Sequence, residues 1–379
     1  MGVLPRALAN IAVVAVVVIS TPRGADAEEH LRVLAPDTDN LQYAAFWIAE
    51  GAGYFAEEGL AIDIAAPPTP QGTTAMVQAG GFDVFVLPPP VYIDLIAERA
   101  PLLLVANLLQ NDPIDLIVQR SVFEAHSMTT DAPVADRLRS LHGLKVGVAP
   151  GPETRLRALF ASVGLDADRD VETVVIHGKD QNAAFARGDV DALFCHTPFL
   201  ETALVEQDAR LLVNTSRGEV AQLASRQIHA LVVTKAFAAA REPVVRALVR
   251  AIARAEILVH QHRDDSVAAL MHVFPSMDRT KVDALMRIYD AAIPETPRVS
   301  VDGIEGALAL FPASRTPPSL RGIDLHDFVA PAFAEATAVS PTGSASTPAW
   351  RRRWSHLSWI AFAAIALMAL AMRSRRRRR

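Results

Sequence analysis

The sequence predicts an α/β protein of two similar lobes with a ligand cleft between them, plus a C-terminal transmembrane helix. Three observations carry that prediction. Strand-like and helix-like segments alternate along the body of the 379-residue chain. The alternation restarts once, with the same punctuation. Each terminus holds an apolar run beside arginine.

The elements follow in order. Leu31–Leu34 is a short apolar strand, and Tyr43–Glu58 has apolar residues at helical spacing, closed by Gly59 as a C-terminal stop. Leu60–Ala65 alternates as a strand. Residues 73–79 read as a helix that Thr73 or Thr74 would cap. Residues 83–87 form a buried strand that runs into Pro88-Pro89-Pro90, and residues 91–98 form a helix. Leu102–Ala106 and Asp115–Val118 are further strands. The β-α-β-α-β order predicts a parallel sheet with right-handed crossovers.

The pattern then begins again. Leu144-Lys145-Val146 parallels Leu31-Arg32-Val33, and each strand runs toward an Ala-Pro pair, Ala149-Pro150 and Ala35-Pro36. Gly164-Leu165 repeats Gly59-Leu60 behind a phenylalanine-bearing helix end. Gly188-Asp189-Val190-Asp191 repeats Gly80-Gly81-Phe82-Asp83 at a helix-to-strand junction. Gln227–Thr234 reads as a strand returning to the first lobe, and the long helix 236–254 and helices over 265–274, 281–291 and 326–334 pack on that lobe.

The ends read as address labels. Arg6, the apolar run Ile11–Ile19 and Ala25-Asp26-Ala27 form a secretory signal peptide with the mature chain starting near Glu28; an uncleaved N-terminal anchor is the alternative. Trp354–Met372 carries no Asp, Glu, Lys or Arg. At about 1.5 Å per residue its 19 residues reach about 28 Å, close to the ~30 Å hydrocarbon core. Arg373 and Arg375–Arg379 outnumber Arg351–Arg353, so that end is expected in the cytoplasm and the body outside. A sorting signal that is later removed is the alternative reading of this tail. The expected organisation is therefore 1–27 signal peptide, 28–118 with 230–335 first lobe, and 119–229 inserted second lobe, then 336–353 flexible tether, 354–372 membrane helix and 373–379 arginine tail.

Charge and cysteine count narrow the function. The formal net charge is −5, yet nine arginines and no acidic residue lie in 350–379, so the body is strongly acidic and makes a poor nucleic-acid surface. The single cysteine, Cys195, excludes an intrachain disulfide and a multi-cysteine metal site. No Walker loop or full Gly-x-Gly-x-x-Gly is present, and the histidines show no metal-ligand spacing, so no cofactor and no metal are expected.

At this point particular residues carry a resemblance. Gly53-Tyr54-Phe55-Ala56-Glu57-Glu58-Gly59-Leu60 resembles the helix end of the solute-binding proteins for sulfonates, taurine, nitrate and thiamine-pyrimidine precursors. Ala79-Gly80-Gly81-Phe82-Asp83, Leu141–Val148 and Arg187–Ala192 resemble further steps of that family. The resemblance implies a two-lobed periplasmic-binding-protein type II fold. It also implies a monomeric substrate-binding partner for the permease and ATPase of an ABC importer, on the periplasmic face of a bacterial inner membrane. Two other functions remain: a sensing lobe for a separate membrane protein, and a thiamine-pyrimidine synthase-like enzyme. A single cysteine and an export signal argue against the enzyme.

In such a fold ligands bind at the carboxyl ends of the strands, near helix N-termini. That selects Asp39, Asn40, Gln42, Thr73, Thr74 and Pro88 from the first lobe and Glu153, Thr154, Asn182 and His196 from the second. Arg155 and Lys179 are the two cations in reach of these loops. Trp47 fits an apolar helix face better than a stacking platform. Asp83 and Asp191 fit strand capping better than an acid pair. Cys195 and His196, as neighbours on a strand, point to opposite faces and so form no nucleophile pair. No catalytic residue is expected, and an aromatic or amide-bearing organic solute is favoured over nitrate.

Overall fold

The computed structural model describes residues 28–36, 40–67, 72–309, 320 and 322–335. The expected signal peptide, tether, membrane helix and arginine tail, together with Asp39, lie outside these residues. Among the described residues no helix is long and apolar enough to cross a membrane.

The strands are β1 (Glu29–Leu34), β2 (Leu60–Ala65), β3 (Val84–Leu87), β4 (Leu102–Gln110), β5 (Asp115–Val118), β6 (Lys145–Val148), β7 (Glu172–Val175), β8 (Ala192–Cys195), β9 (Arg210–Val213) and β10 (Gln227–Thr234). They form two sheets of five, ordered β2-β1-β3-β10-β4 and β7-β6-β8-β5-β9. The sheets have one plan: three parallel strands, then a strand running antiparallel to both its neighbours.

Two expectations are corrected here. The sheets are mixed rather than parallel, and β5 belongs to the second sheet, so the chain crosses between Gln110 and Asp115, not after Val118. Both corrections have one cause. β5 and β10 have each just arrived from the other lobe, so each enters at the carboxyl edge of its new sheet and runs against the strands already there. The repeat read from sequence extends to this detail, since the reversed fourth strand of each sheet is the one that follows a crossing from the other lobe.

The paired aspartates confirm the repeat at atomic scale. Asp83 accepts from the Arg32 backbone N–H at 2.9 Å and returns its own N–H to the Arg32 carbonyl at 2.9 Å. Asp191 does the same with Lys145, at 2.8 and 2.9 Å. Arg32 and Lys145 are the residues that the repeat aligns, so both aspartates are strand caps.

The helix expected over Tyr43–Glu58 is split into Ala44–Gly51 and Tyr54–Glu57 by Gly53, whose φ is +78°. The break lets the chain turn beneath the long helix Glu242–Gln261. The Arg254 guanidinium lies 4.0 Å from the Tyr54 ring centroid, and Arg250 donates to Glu58 at 2.7 and 2.9 Å. Gly51 has a separate reason. A Cβ there would lie 2.1 Å from the Ala269 carbonyl oxygen, so glycine permits close packing of the helix Arg263–Val273. Trp47 is buried, edge-on to Phe274 at 5.3 Å, and is a core residue.

Candidate functional site

The topology makes the two carboxyl edges face each other. β4 ends at the same edge as β1 and β3, and β5 starts at the carboxyl edge of β8, so the crossing at residues 111–114 joins those two edges. The return crossing, residues 214–226, lies beside it.

The crossing is built from polar groups that satisfy one another. Asn111 sits at φ +65°, a conformation that asparagine tolerates better than most residues. Its side chain accepts from Ser225 N at 2.8 Å and donates to the Ser216 carbonyl at 2.9 Å. Asp115 is fully buried and accepts from Ser216 N at 3.0 Å, Ser216 Oγ at 2.6 Å and Thr215 Oγ1 at 3.3 Å. Burial pushes its carboxyl up to about 7, against the lowering effect of those hydrogen bonds. From the first lobe, the Tyr289 hydroxyl donates to the Pro113 carbonyl at 2.8 Å.

Around this hinge, groups from both lobes converge. Asp112 is 0% exposed, and its Oδ1 accepts from Arg155 Nη1 at 3.3 Å while its Oδ2 has no partner among the described residues. Arg155 comes from the helix Glu153–Ala161 that follows β6 in the second lobe. On the first lobe, His229 near the start of β10 donates through Nε2 to Gln42 Oε1 at 2.7 Å and packs on the Tyr43 ring at 4.5 Å. Its Nδ1 is buried without a partner among the described residues. Burial holds the His229 imidazole down to about 3, and the charge of Arg155 acts in the same direction, so the ring is neutral with Nδ1 as an acceptor. His196, half-buried after β8, is lowered by the same two causes. Arg226, at the end of the return crossing, is buried, with Nη1 unpartnered among the described residues. Its burial favours the neutral form, opposed by Asp112 and assisted by Arg155.

The residues selected from sequence divide among several places. Gln42 and His196 belong to this convergence. Asn40 caps the turn at Leu41–Tyr43, accepting from Gln42 N at 2.9 Å, and its carbonyl accepts from Trp47 Nε1 at 3.2 Å. Thr73 is fully buried and Thr74 half-buried at the start of the helix Thr73–Ala79. Pro88 precedes the helix Pro89–Ala97, its carbonyl accepting from Val91 N and Tyr92 N. Glu153 accepts from Gly151 N at 2.5 Å. With Thr154 it lines a depression of about 760 Å³ against edge strand β7. Asn182 donates to the Phe199 carbonyl at 2.9 Å, tying the helix Gln181–Arg187 to the helix Phe199–Glu206. Cys195 is buried, with burial pushing its thiol well up, so it is a poor nucleophile. Asp112, Arg226 and His229 were missed as site residues. Nothing local marks them, because they meet only through the two crossings.

Two sheets of one plan joined edge to edge by paired crossings form a two-lobed, periplasmic-binding-protein-like fold. Residues 40–266 match the family described as NMT1/THI5 like, and the chain belongs to that family. It is 27% identical over 151 residues to 4-amino-5-hydroxymethyl-2-methylpyrimidine phosphate synthase of Aspergillus parasiticus, over 40% of this chain and 41% of that protein. The chain spans half or less of the length of the curated relatives it matches. Among solved structures, the alkanesulfonate-binding protein SsuA of Xanthomonas axonopodis pv. citri, bound to MOPS, shares the fold with TM-score 0.53 and 19% identity, over 76% of this chain and 94% of that one. The nitrate-binding protein NrtA of Synechocystis PCC 6803 does so with TM-score 0.52 and 14% identity, over 84% and 90%.

Proposed function

We propose that this chain is the extracytoplasmic substrate-binding protein of an ABC-type importer. It captures a small organic solute, sulfonate-like or pyrimidine-like, between the lobes and delivers it to a permease. It works as a monomer on the periplasmic side of the inner membrane, held there by the helix expected at 354–372. The observation that carries the reading is the pair of Arg155 from the second lobe with the hinge residue Asp112, near enough to His229 of the first lobe, which Gln42 holds, for the Arg155 charge to lower its pKa. Groups so placed change their spacing when the lobes rotate, so a ligand that binds both sides favours closure. The solved relatives named for sulfonate and nitrate binding support the same reading.

Thermal unfolding of the purified chain with alkanesulfonates, nitrate and 4-amino-5-hydroxymethyl-2-methylpyrimidine tests it. At ligand concentrations about 100-fold above Kd, binding to the native state adds about 2.7 kcal/mol, which a melting curve resolves. No shift with any class removes the binding reading. The Aspergillus relative's name favours a second reading, pyrimidine synthesis; product formation by the purified chain would support it, and stabilisation without turnover would not.

A further inference from the structure

We infer that the first-lobe helix Arg279–Tyr289 is a third, non-covalent pivot between the lobes, which restricts their relative motion to rotation about its line of contact with the second lobe. The inference goes beyond solute binding and holds whatever occupies the cleft.

The two covalent crossings, residues 111–114 and 214–226, lie side by side. Two adjacent chain segments can bend and also twist, so by themselves they do not fix a hinge axis. A further contact set off from them does. The helix Arg279–Tyr289 supplies it by packing against the second-lobe helix Phe199–Glu206. One end of the contact is at the hinge, where Tyr289 is 0% exposed and its hydroxyl donates to the Pro113 carbonyl at 2.8 Å. The other end is Lys281 Nζ, 2.6 Å from Glu206 Oε1. Lys281, Leu285 and Tyr289 recur every four residues and so share one helix face. At about 1.5 Å rise per residue, that face runs about 12 Å from the hinge to the far end. The lobes therefore meet along a line rather than at a point.

The line is sealed from water. Leu285 and Met286 of the first lobe and Leu200 and Ala203 of the second belong to one hydrophobic cluster that continues through both lobes. Thr197 is fully buried and donates through Oγ1 to Glu201 at 2.7 Å, and Glu201 is itself 4% exposed. Parting the two helices would return these side chains to water, whereas rotation along their contact leaves them packed. The Lys281–Glu206 pair sits at the open rim and marks the end of the line; the apolar face holds it. The pivot is also fastened to the first crossing by the loop that follows it. Gln110 donates through its backbone N–H to the Ala292 carbonyl at 2.7 Å and through Nε2 to the Ala291 carbonyl at 3.1 Å. Helix and crossing thus move together.

The test measures the distance distribution between spin labels on the two lobes of the full chain, without ligand. Asp94→Cys in the first lobe and Ala161→Cys in the second put labels at exposed positions, and the native Cys195 is buried away from the reagent. In this background Leu285→Ala and Tyr289→Phe are each expected to broaden the distribution, because twist is released. Arg287→Ala, on the open side of the same helix at 61% exposure, is expected to leave it as in wild type. Circular dichroism and melting curves check folding, and Tyr289→Phe, which keeps the ring, serves if Leu285→Ala does not fold. Distributions as narrow in Leu285→Ala and Tyr289→Phe as in wild type overturn the inference. So does equal broadening by Arg287→Ala, which would make the effect one of helix stability rather than of the contact.

Discussion

Asp115 is the residue at which the hinge is most sensitive to conditions. Its carboxyl is fully buried and titrates near 7, against about 3.9 in an unfolded chain. Between those values the native state holds a proton that the unfolded state has released. The folded protein therefore loses stability from this group as pH rises from about 4 to 7, by up to about 1.4 kcal/mol per pH unit. His229 acts oppositely. Held down to about 3, it contributes stability that is lost as pH falls below about 6.5. The two slopes oppose each other between about pH 4 and 6.5, so wild-type data alone do not isolate either. Urea denaturation of wild type and Asp115→Asn at pH 5 and pH 8 does. The variant is expected to gain stability relative to wild type on going from pH 5 to pH 8, and an unchanged difference would place the native Asp115 pKa below that range.

At the scale of elements, the two strand-capping aspartates make a symmetric prediction. Asp83 and Asp191 hold Arg32 in β1 and Lys145 at the start of β6 through the same pair of contacts, one side-chain and one backbone. Replacing either with alanine strands a backbone N–H at a sheet edge, at a cost of about 1–2 kcal/mol. Chemical denaturation of Asp83→Ala and Asp191→Ala should show similar losses, with ligand affinity unchanged, since neither carboxylate faces the hinge. Reduced affinity in only one variant would contradict their equivalence. The same scale explains the segment most recognisable in sequence. Tyr54, Glu57 and Glu58 brace the helix Glu242–Gln261 through Arg250 and Arg254. That motif ties the first lobe together through these contacts.

For the whole molecule, lobe geometry and membrane attachment meet. The lobes touch beyond the hinge, where Lys281 of the first lobe pairs with Glu206 of the second at 2.6 Å. This pair is half open to water and is expected to contribute under about 1 kcal/mol. Attachment is a separate proposal resting on hydrophobic length and arginine asymmetry at 354–379. A reporter enzyme fused after Arg379 should be active only when it requires the cytoplasm. Activity of a periplasm-dependent reporter at that position would reverse the proposed topology.

The sequence by itself determined the lobe count, the repeat, the capping role of Asp83 and Asp191, the core position of Trp47 and the family. Each is a local or periodic signal: glycine where the chain needs positive φ, apolar residues at a fixed period, an aspartate one step before a buried strand. It also named Gln42, His196 and Arg155 as residues near the cleft, because loop position after a strand is legible from pattern alone. Tertiary structure alone decided that β5 and β10 each run backwards in the sheet they enter, since strand direction depends on which edge the chain enters. It alone joined Asp112, Arg226 and His229 to Arg155. These residues are far apart in the chain, and their charges acquire meaning only when two crossings bury them at one hinge, where water no longer screens one from another.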